Sequence, residues 1–149
     1  MTIQLSTIAN SITGITVSGL TIKDVDEIPT DIIQRQCPLL IPNPENYISN
    51  PLIKVDSFGT GTDRKMTLTY NLNYILIYSQ VGAGRVNIID AYAGMLTKAC
   101  AFLDAFYGLS TLTGAVDFNA ILGDPAITTV GAIDFHSIGI QVQVQEFIN

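Results

Sequence analysis

A single histidine limits the acid–base chemistry that this chain can perform. His136 is followed directly by Ser137, and the sequence contains no other histidine. A histidine that takes a proton from a serine hydroxyl makes that serine a nucleophile for acyl transfer. The residues around this pair alternate as in a β-strand, where neighbours point to opposite faces of the sheet. We therefore expect His136 to be a hydrogen-bonded structural residue with no part in catalysis.

A glycine-rich turn, Gly82-Ala83-Gly84, lies between a predicted strand and a predicted helix, which is the usual place of a phosphate-binding turn. The third glycine of the dinucleotide-binding pattern would fall at Asn87, and no Walker-type lysine follows. A tight connection from strand to helix explains these glycines without a ligand. Binding of a phosphate or another small ligand here, by a monomeric module or small enzyme, is the alternative.

Metal binding has little support in the pattern of ligand-type residues. The sequence has no CxxC, HExxH or calcium-loop motif. The acidic residues Asp24, Asp26, Glu27 and Asp31 surround Pro29 and lack the spacing of a calcium loop. We expect them to form a solvated loop. We also expect no metal, no cofactor and no catalytic residue, so the chain is predicted not to be an enzyme.

Two cysteines, Cys37 and Cys100, lie far apart in the sequence, each among apolar residues. A free cysteine in a protein made inside cells behaves as a small buried hydrophobe, because thiols stay reduced there. We expect both thiols to be reduced and buried. A disulfide between them is the alternative.

The composition combines low charge with high hydropathy. Charged residues make up 13% of the 149 residues, and mean hydropathy is +0.38. No apolar run approaches the roughly 20 residues that cross a bilayer, and the N-terminus lacks the pattern of a signal peptide, so neither a membrane protein nor a secreted one is expected. The net charge of −6 disfavours nucleic-acid binding. We expect uncharged polar residues or partner subunits to cover the surface.

The apolar pattern predicts one α+β domain over residues 1–149, with a mostly antiparallel, mixed sheet. A short N-terminal helix is predicted over residues 3–13, a first strand over 17–23 and a brief proline-fenced strand over 38–42. A β-hairpin follows, formed by residues 52–58 and 64–78. Its second strand is far longer than the modal strand of about six residues.

The hairpin's second strand is apolar at every even position from Met66 to Tyr78, whereas its odd positions turn apolar only near the end. One face is therefore expected to be buried throughout, and both faces only at the end. We expect the half nearest Met66 to project as a β-arm. Asp63, Arg64 and Lys65 at its tip are candidate contacts with a neighbouring subunit.

One long amphipathic helix is predicted from Arg85 to Tyr107, packed on the sheet. Its predicted core face contains Ile88, Ile89, Tyr92, Met95, Leu96, Ala99, Cys100, Phe102, Leu103 and Phe106. The opposite face carries small residues that would let another subunit approach, with Ala91, Gly94, Lys98 and Ala101 as candidate contacts. The high helix propensity of alanine is the alternative explanation.

The final third predicts a weak strand over residues 115–118, a turn at Gly123-Asp124-Pro125 and a last strand over about 132–147. Ile133 is out of phase with the apolar residues that follow Ser137, so a β-bulge is expected near His136. The row Gln141, Gln143 and Gln145 is expected on a wet or partner-facing side of this strand.

This order of elements resembles the tail terminator, or tail completion, proteins of long-tailed bacteriophages. The segments that carry the resemblance are the hairpin strand Arg64-Lys65-Met66-Thr67-Leu68-Thr69-Tyr70, the segment Gly114-Ala115-Val116-Asp117 and the closing Val142-Gln143-Val144-Gln145-Glu146. The likeness covers most of the chain as architecture, without a diagnostic motif. Another phage neck, connector, baseplate or tail-tube component built on a similar plan is the alternative.

The resemblance implies a homo-oligomeric virion protein at the head–tail junction, made in the host cytoplasm. It implies a ring, usually hexameric, that binds the tail tube protein, stops its polymerisation and offers a surface to the head–tail connector. No catalytic residue is implied. Ring formation would use the low charge, the overlong hairpin strand and the small-residue helix face, because a closed head-to-tail ring needs two complementary patches on each protomer.

Overall fold

The computed structural model describes residues 5–29, 31–44, 48–58, 65–82, 88–109 and 115–148. This part of the chain contains two α-helices, Leu5–Thr13 (α1) and Ile88–Tyr107 (α2), and one six-stranded sheet. The strands are Thr21–Ile22 (β1), Leu39–Pro42 (β2), Ile48–Phe58 (β3), Lys65–Gln80 (β4), Ala115–Val130 (β5) and Ile133–Ile148 (β6). The predicted α+β class, with a mostly antiparallel mixed sheet and a long helix packed on it, is confirmed.

β4 is the central strand of the sheet. Along one side it pairs antiparallel with β6, and β6 pairs antiparallel with β5. Along the other side β3 pairs with the first part of β4 and β2 with a later part, while β1 pairs in parallel with β2. The strand order is β1-β2-β4-β6-β5, with β3 beside β4. The sheet therefore ends in β5 on one side and in β3 and β1 on the other.

The predicted hairpin is present as β3 and β4, which pair from Phe58 and Lys65 onward. The half of β4 nearest Met66 is nevertheless not a two-stranded arm, because Met66 also pairs with Ile148 of β6. The predicted arm is thus part of the sheet, with β3 as its outer strand.

Two predicted strands, over residues 17–23 and 115–118, differ in length from the observed β1 and β5. The strand predicted over residues 17–23 is reduced to β1, because Gly19, with φ of 74°, forms a tight turn in which Val17 and Leu20 bridge to each other. The turn predicted at Gly123-Asp124-Pro125 is wrong, since β5 continues through it. Those residues form a bulge, in which two residues of β5 oppose the single residue Gly139 of β6.

The bulge predicted near His136 lies at the expected level of the sheet but in the neighbouring strand. Ile77 pairs with Ser137 and Ser79 with His136, so the extra residue is Tyr78 of β4. β6 keeps a regular alternation through this region. Ile133 and Phe135 are out of phase with Ile138 because they belong to a second apolar cluster on the other face of the sheet.

The main core lies between the sheet and the two helices. Leu72, Leu76 and Val142 from the sheet meet Phe102 and Phe106 from α2, and all five are fully buried. Ile8 and Ile12 of α1 join the same cluster. This is the face of β4 that the even apolar positions predict.

The second face of the sheet changes character along the strands. At one end Ile75, Ile77 and Phe135 form a smaller apolar cluster with Ile32 from the segment between β1 and β2. Toward the other end of the pairing, Asn71 faces Gln143 and Asn73 faces Gln141. The second face is therefore buried where that segment covers it and carries amide side chains further along.

Candidate interaction surface

The groups that could support acyl transfer are separated by the sheet. His136 is 5% exposed and borders a cavity under α2. The Ser137 hydroxyl instead lies 2.6 Å from the Thr128 hydroxyl and donates to the Ala126 carbonyl at 3.4 Å. Thr128 pairs with Phe135, which belongs to the second-face cluster. The prediction that His136 and Ser137 point to opposite faces is confirmed.

Ser79 of β4 is the serine that pairs with His136 of the neighbouring strand β6. Its hydroxyl is buried and makes no hydrogen bond within the part of the chain that the structure describes. A buried, unpaired hydroxyl costs about 1–3 kcal/mol. The bulge at Tyr78, which the sequence did not place in β4, is what brings Ser79 opposite the histidine.

The remaining candidates for chemistry are weakly supported. Gly82 has φ of 80° at the end of β4, while the other residues of the predicted turn, Ala83 and Gly84, lie outside the described part of the chain. Asp26 and Glu27 belong to a short 3₁₀ helix, Val25–Glu27. The Glu27 Oε2 atom lies 3.6 Å from the Lys23 Nζ atom. Among the described residues, no group of histidine, cysteine and carboxylate side chains is arranged to hold a metal ion.

Both cysteines are free thiols. Cys37 is half-buried and donates to the Ile33 carbonyl at 3.8 Å, and burial raises the pKa of its thiol to about 11. Cys100 is exposed on α2, so the prediction that it is buried is wrong. The helix is rotated relative to its predicted orientation.

Part of the predicted outer face of α2 is turned toward its own chain. Ala91 is 1% exposed, and a Cβ added to Gly94 would lie 2.0 Å from the Tyr78 hydroxyl. Lys98 donates from its Nζ to the Ser18 carbonyl at 2.6 Å. Ala101 is only partly exposed. Ala91, Gly94 and Lys98 therefore make intramolecular contacts, which corrects their predicted placement on an open helix face.

The predicted contacts at the hairpin tip are described only in part. Asp63 and Arg64 lie outside the described residues, and Lys65 is the first residue of β4. Their role in contacting a neighbour stays a prediction.

Large apolar side chains are exposed instead around α2 and β5. Ile89 is 78% exposed and Tyr92 is 47% exposed, although both were predicted to face the core. Ile121 and Ile127 of β5 are each 56% exposed. Ile127 pairs with His136 on the helix face, whereas Ile121 pairs with Gln141 on the second face. One strand thus displays an isoleucine on each face of the sheet.

A groove separates the first half of α2 from the later part of β5. It contains a cavity of about 120 Å³ lined by Tyr92 and Met95 of the helix, by His136, and by Pro125, Ala126 and Ile127 of β5. We call this the α2–β5 groove. Its lining is largely apolar and is shared between a helix and the edge of a sheet.

The outer edge of β5 is closed at one point by Tyr107. The Ala120 backbone N–H donates to the Tyr107 hydroxyl at 3.0 Å, so this N–H points away from β6. Tyr107 is the last residue of α2, and its ring meets that of Phe106 edge-on at 5.5 Å. The aromatic side chain therefore satisfies a sheet-edge donor that a neighbouring strand would otherwise satisfy.

The sequence contains a hairpin signal for the later part of β5. Ile127-Thr128-Thr129-Val130 is rich in β-branched residues, and Gly131-Ala132 then joins it to β6. Gly131 has φ of 65°, which suits the first central position of a two-residue hairpin turn. This hairpin signal would have predicted a strand bearing Ile127.

No protein-family model matches this chain, and no curated protein is significantly similar to it in sequence. Within the described residues, neither helix is long and apolar enough to cross a membrane.

Proposed function

We propose that this protein is a ring-forming structural component of a phage tail, acting as the tail terminator at the head–tail junction. The observation that supports the proposal best is that one sheet ends in two different outer strands, β5 and β3, on opposite sides. A head-to-tail ring requires two different, complementary surfaces on each protomer. Opposite edges of a sheet meet that requirement through backbone hydrogen bonds.

The strand directions fit such a contact. β3 runs opposite to β4, β4 to β6, and β6 to β5, so β3 and β5 run in opposite directions. A second copy placed beside the first in the same orientation would bring its β3 antiparallel to β5. Such a pair continues the sheet from one protomer to the next.

The register of the strands determines which residues of β5 would contact the neighbouring copy. Leu72 pairs with Ile48 of β3 and with Val142 of β6, and Val142 pairs with Ala120. β3 therefore lies level with residues 115–120 of β5. Pairing there requires the Tyr107 hydroxyl to release the Ala120 N–H. Ile121, half-exposed on the second face, directly follows this stretch and would lie at the border of the neighbouring copy.

Light scattering on a size-exclusion column and negative-stain microscopy test the assembly. We expect rings of several copies, and we expect Ile121→Ser to weaken them by about fivefold, because one half-exposed isoleucine is worth roughly 1 kcal/mol. Ile127→Ser is the matched control, since Ile127 is equally exposed but lies on the other face. A monomer at millimolar concentration, also in the presence of tail tubes, would contradict ring formation.

Disruption of the gene in its phage tests the biological role. Loss of a terminator should give overlong or headless tails, because nothing then stops tube growth. Loss of a tube subunit would give no tail, and loss of a connector would leave tails of normal length. Either of these last two outcomes would replace the terminator with another tail or neck component.

A further inference from the structure

The later part of β5 has backbone groups that face away from the sheet. The Ala120 N–H points outward, and Ala120 pairs with Val142 of β6. Three other residues of β6 lie an even number of positions from Val142, namely Ile138, His136 and Asp134. Because alternate residues of a strand direct their backbone groups to opposite sides, their partners on β5 also point outward. Those partners are Pro125, Ile127 and Thr129. The Asp134 carbonyl agrees, since it accepts from Val81 on the β4 side at 2.9 Å.

The outward groups are those that an additional strand would use. Ile127 and Thr129 each offer an N–H and a carbonyl, and Pro125 offers a carbonyl. Proline has no N–H to lose, so its outward position leaves no donor unsatisfied. Tyr107 closes the edge at Ala120, on the far side of the bulge. The stretch from Pro125 to Val130 thus forms a short edge of its own.

The α2–β5 groove lies beside this edge. Its cavity of about 120 Å³ is bordered by Ile127 of the edge and by Tyr92 and Met95 of the helix. A cavity of about 150 Å³ holds a benzene ring, so this one matches a single aliphatic side chain. Strand addition takes affinity from backbone hydrogen bonds and specificity from such pockets for alternate side chains.

The charges near the groove are of one sign in the described part of the chain. Asp124 directly precedes Pro125 at one end of this edge, and Asp134 pairs with Thr129 at the other end, where its carboxylate accepts from the Thr129 hydroxyl. The nearest described lysine along α2, Lys98, is engaged with the Ser18 carbonyl. A segment with basic residues at its ends would complement these carboxylates, whereas a second copy of the same edge would bring like charges together.

We infer that the α2–β5 groove binds an extended, basic-ended segment of another protein, which adds as a strand to residues 125–130 and places an aliphatic side chain between Tyr92, Met95 and Ile127. The site requires only a single copy of the chain. It is therefore independent of the proposed ring, which uses the earlier half of β5.

A labelled peptide, Lys-Val-Thr-Val-Thr-Val-Lys, tests this site by fluorescence anisotropy. It should bind the wild-type protein and bind Ile127→Ser about fivefold more weakly, because one apolar contact is lost. Ile121→Ser is the matched control and should bind as the wild type does. The same peptide with glutamates at its ends should bind more weakly at low salt, and the difference should shrink as salt is added.

A peptide N-methylated at its valines isolates the backbone contribution. The valine that enters the groove lies on the same face as Ile127, so in an antiparallel pair its N–H points to β5. The methylated peptide keeps the valine side chains but lacks these donors, and we expect it not to bind. In amide NMR spectra the binding peptide should shift Tyr92, Ile127 and Thr129 and leave Ile121 unmoved. Circular dichroism and urea unfolding establish that the two serine variants are folded.

Three outcomes would overturn the inference. They are no binding at millimolar peptide, equal loss of affinity in Ile127→Ser and Ile121→Ser, and amide shifts confined to residues 115–122. None of them bears on ring formation, which is read from Ile121→Ser by light scattering without any peptide. A failed ring with intact peptide binding would conversely leave this site in place.

Discussion

The two faces of the sheet are built from the same strands and behave differently. On the helix face, side chains such as Leu72, Leu76 and Val142 are fully buried under α1 and α2. On the second face, Ile77 and Phe135 are buried at one end, while Asn71 and Asn73 oppose glutamines further along. Burial in this protein is therefore set by what covers each face, and the second face is only partly covered.

A buried polar atom of Asn71 also lies on the second face. The Asn71 Oδ1 atom is buried and has no hydrogen-bond partner among the described residues. Such a group reduces the net stability that this part of the sheet contributes. Because the helix face buries more side chains under α1 and α2, it should supply most of the stability, and the uncovered part of the second face should tolerate change.

The sharpest test of this difference is truncation on each face. Phe102 is fully buried on the helix face and stacks on Phe106 at 6.3 Å between ring centroids. Phe102→Ala should lower the free energy of unfolding by about 3–5 kcal/mol. Ile121→Ala, at a half-exposed position of the second face, should lower it by less than about 1 kcal/mol. Urea unfolding measures both, and similar losses would remove the distinction between the faces.

A smaller effect is expected where α2 comes closest to the sheet. A Cβ at position 94 would lie 2.0 Å from the Tyr78 hydroxyl oxygen, so the ring must move. Gly94→Ala should therefore destabilise the protein by about 1–3 kcal/mol, even though alanine favours helices. Its combination with Tyr78→Ala should cost less than the sum of the two single changes. Additive losses would show that the helix does not depend on this contact.

The smallest effect concerns the segment that covers part of the second face. The pKa of the Cys37 thiol rises from 9.0 to about 11 because the thiol is half-buried. Since the folded pKa exceeds the unfolded one, the associated stability is complete below pH 9 and is lost as the pH rises toward 11. Cys37→Val should flatten the decline in urea midpoint between pH 9 and 11. If the urea midpoint of the variant falls as steeply as that of the wild type, other titrating groups cause the decline.

The fold class and the helix-face core could be predicted because they follow from periodicity. Every even position from Leu72 to Tyr78 points toward α2, as an alternating strand requires. The rotation of α2 could not be read from a helical wheel. Ala91 and Gly94 let the helix approach Tyr78 closely, and this turns Ile89 and Tyr92 outward. That contact joins residues brought together only by the fold.

The candidate interaction surface was largely hidden from the sequence for a related reason. Gly123-Asp124-Pro125 has the composition of a turn, and only pairing with Gly139 identifies it as a bulge within β5. The row of glutamine side chains on β6 indicates from the sequence that this face of the sheet is not covered. The exposed isoleucines were not, because their exposure depends on β5 being the last strand.

The bulge in β5 has a consequence for how many chains one copy can engage. Ile121 and Ile127 are six residues apart and would share a face in a regular strand, but the extra residue sends them to opposite sides. If both proposed contacts form, one strand serves two separate contacts and each molecule is bivalent. If copies close into a ring, their grooves form a circular array, and a partner that is itself repeated would be held by avidity at many weak points.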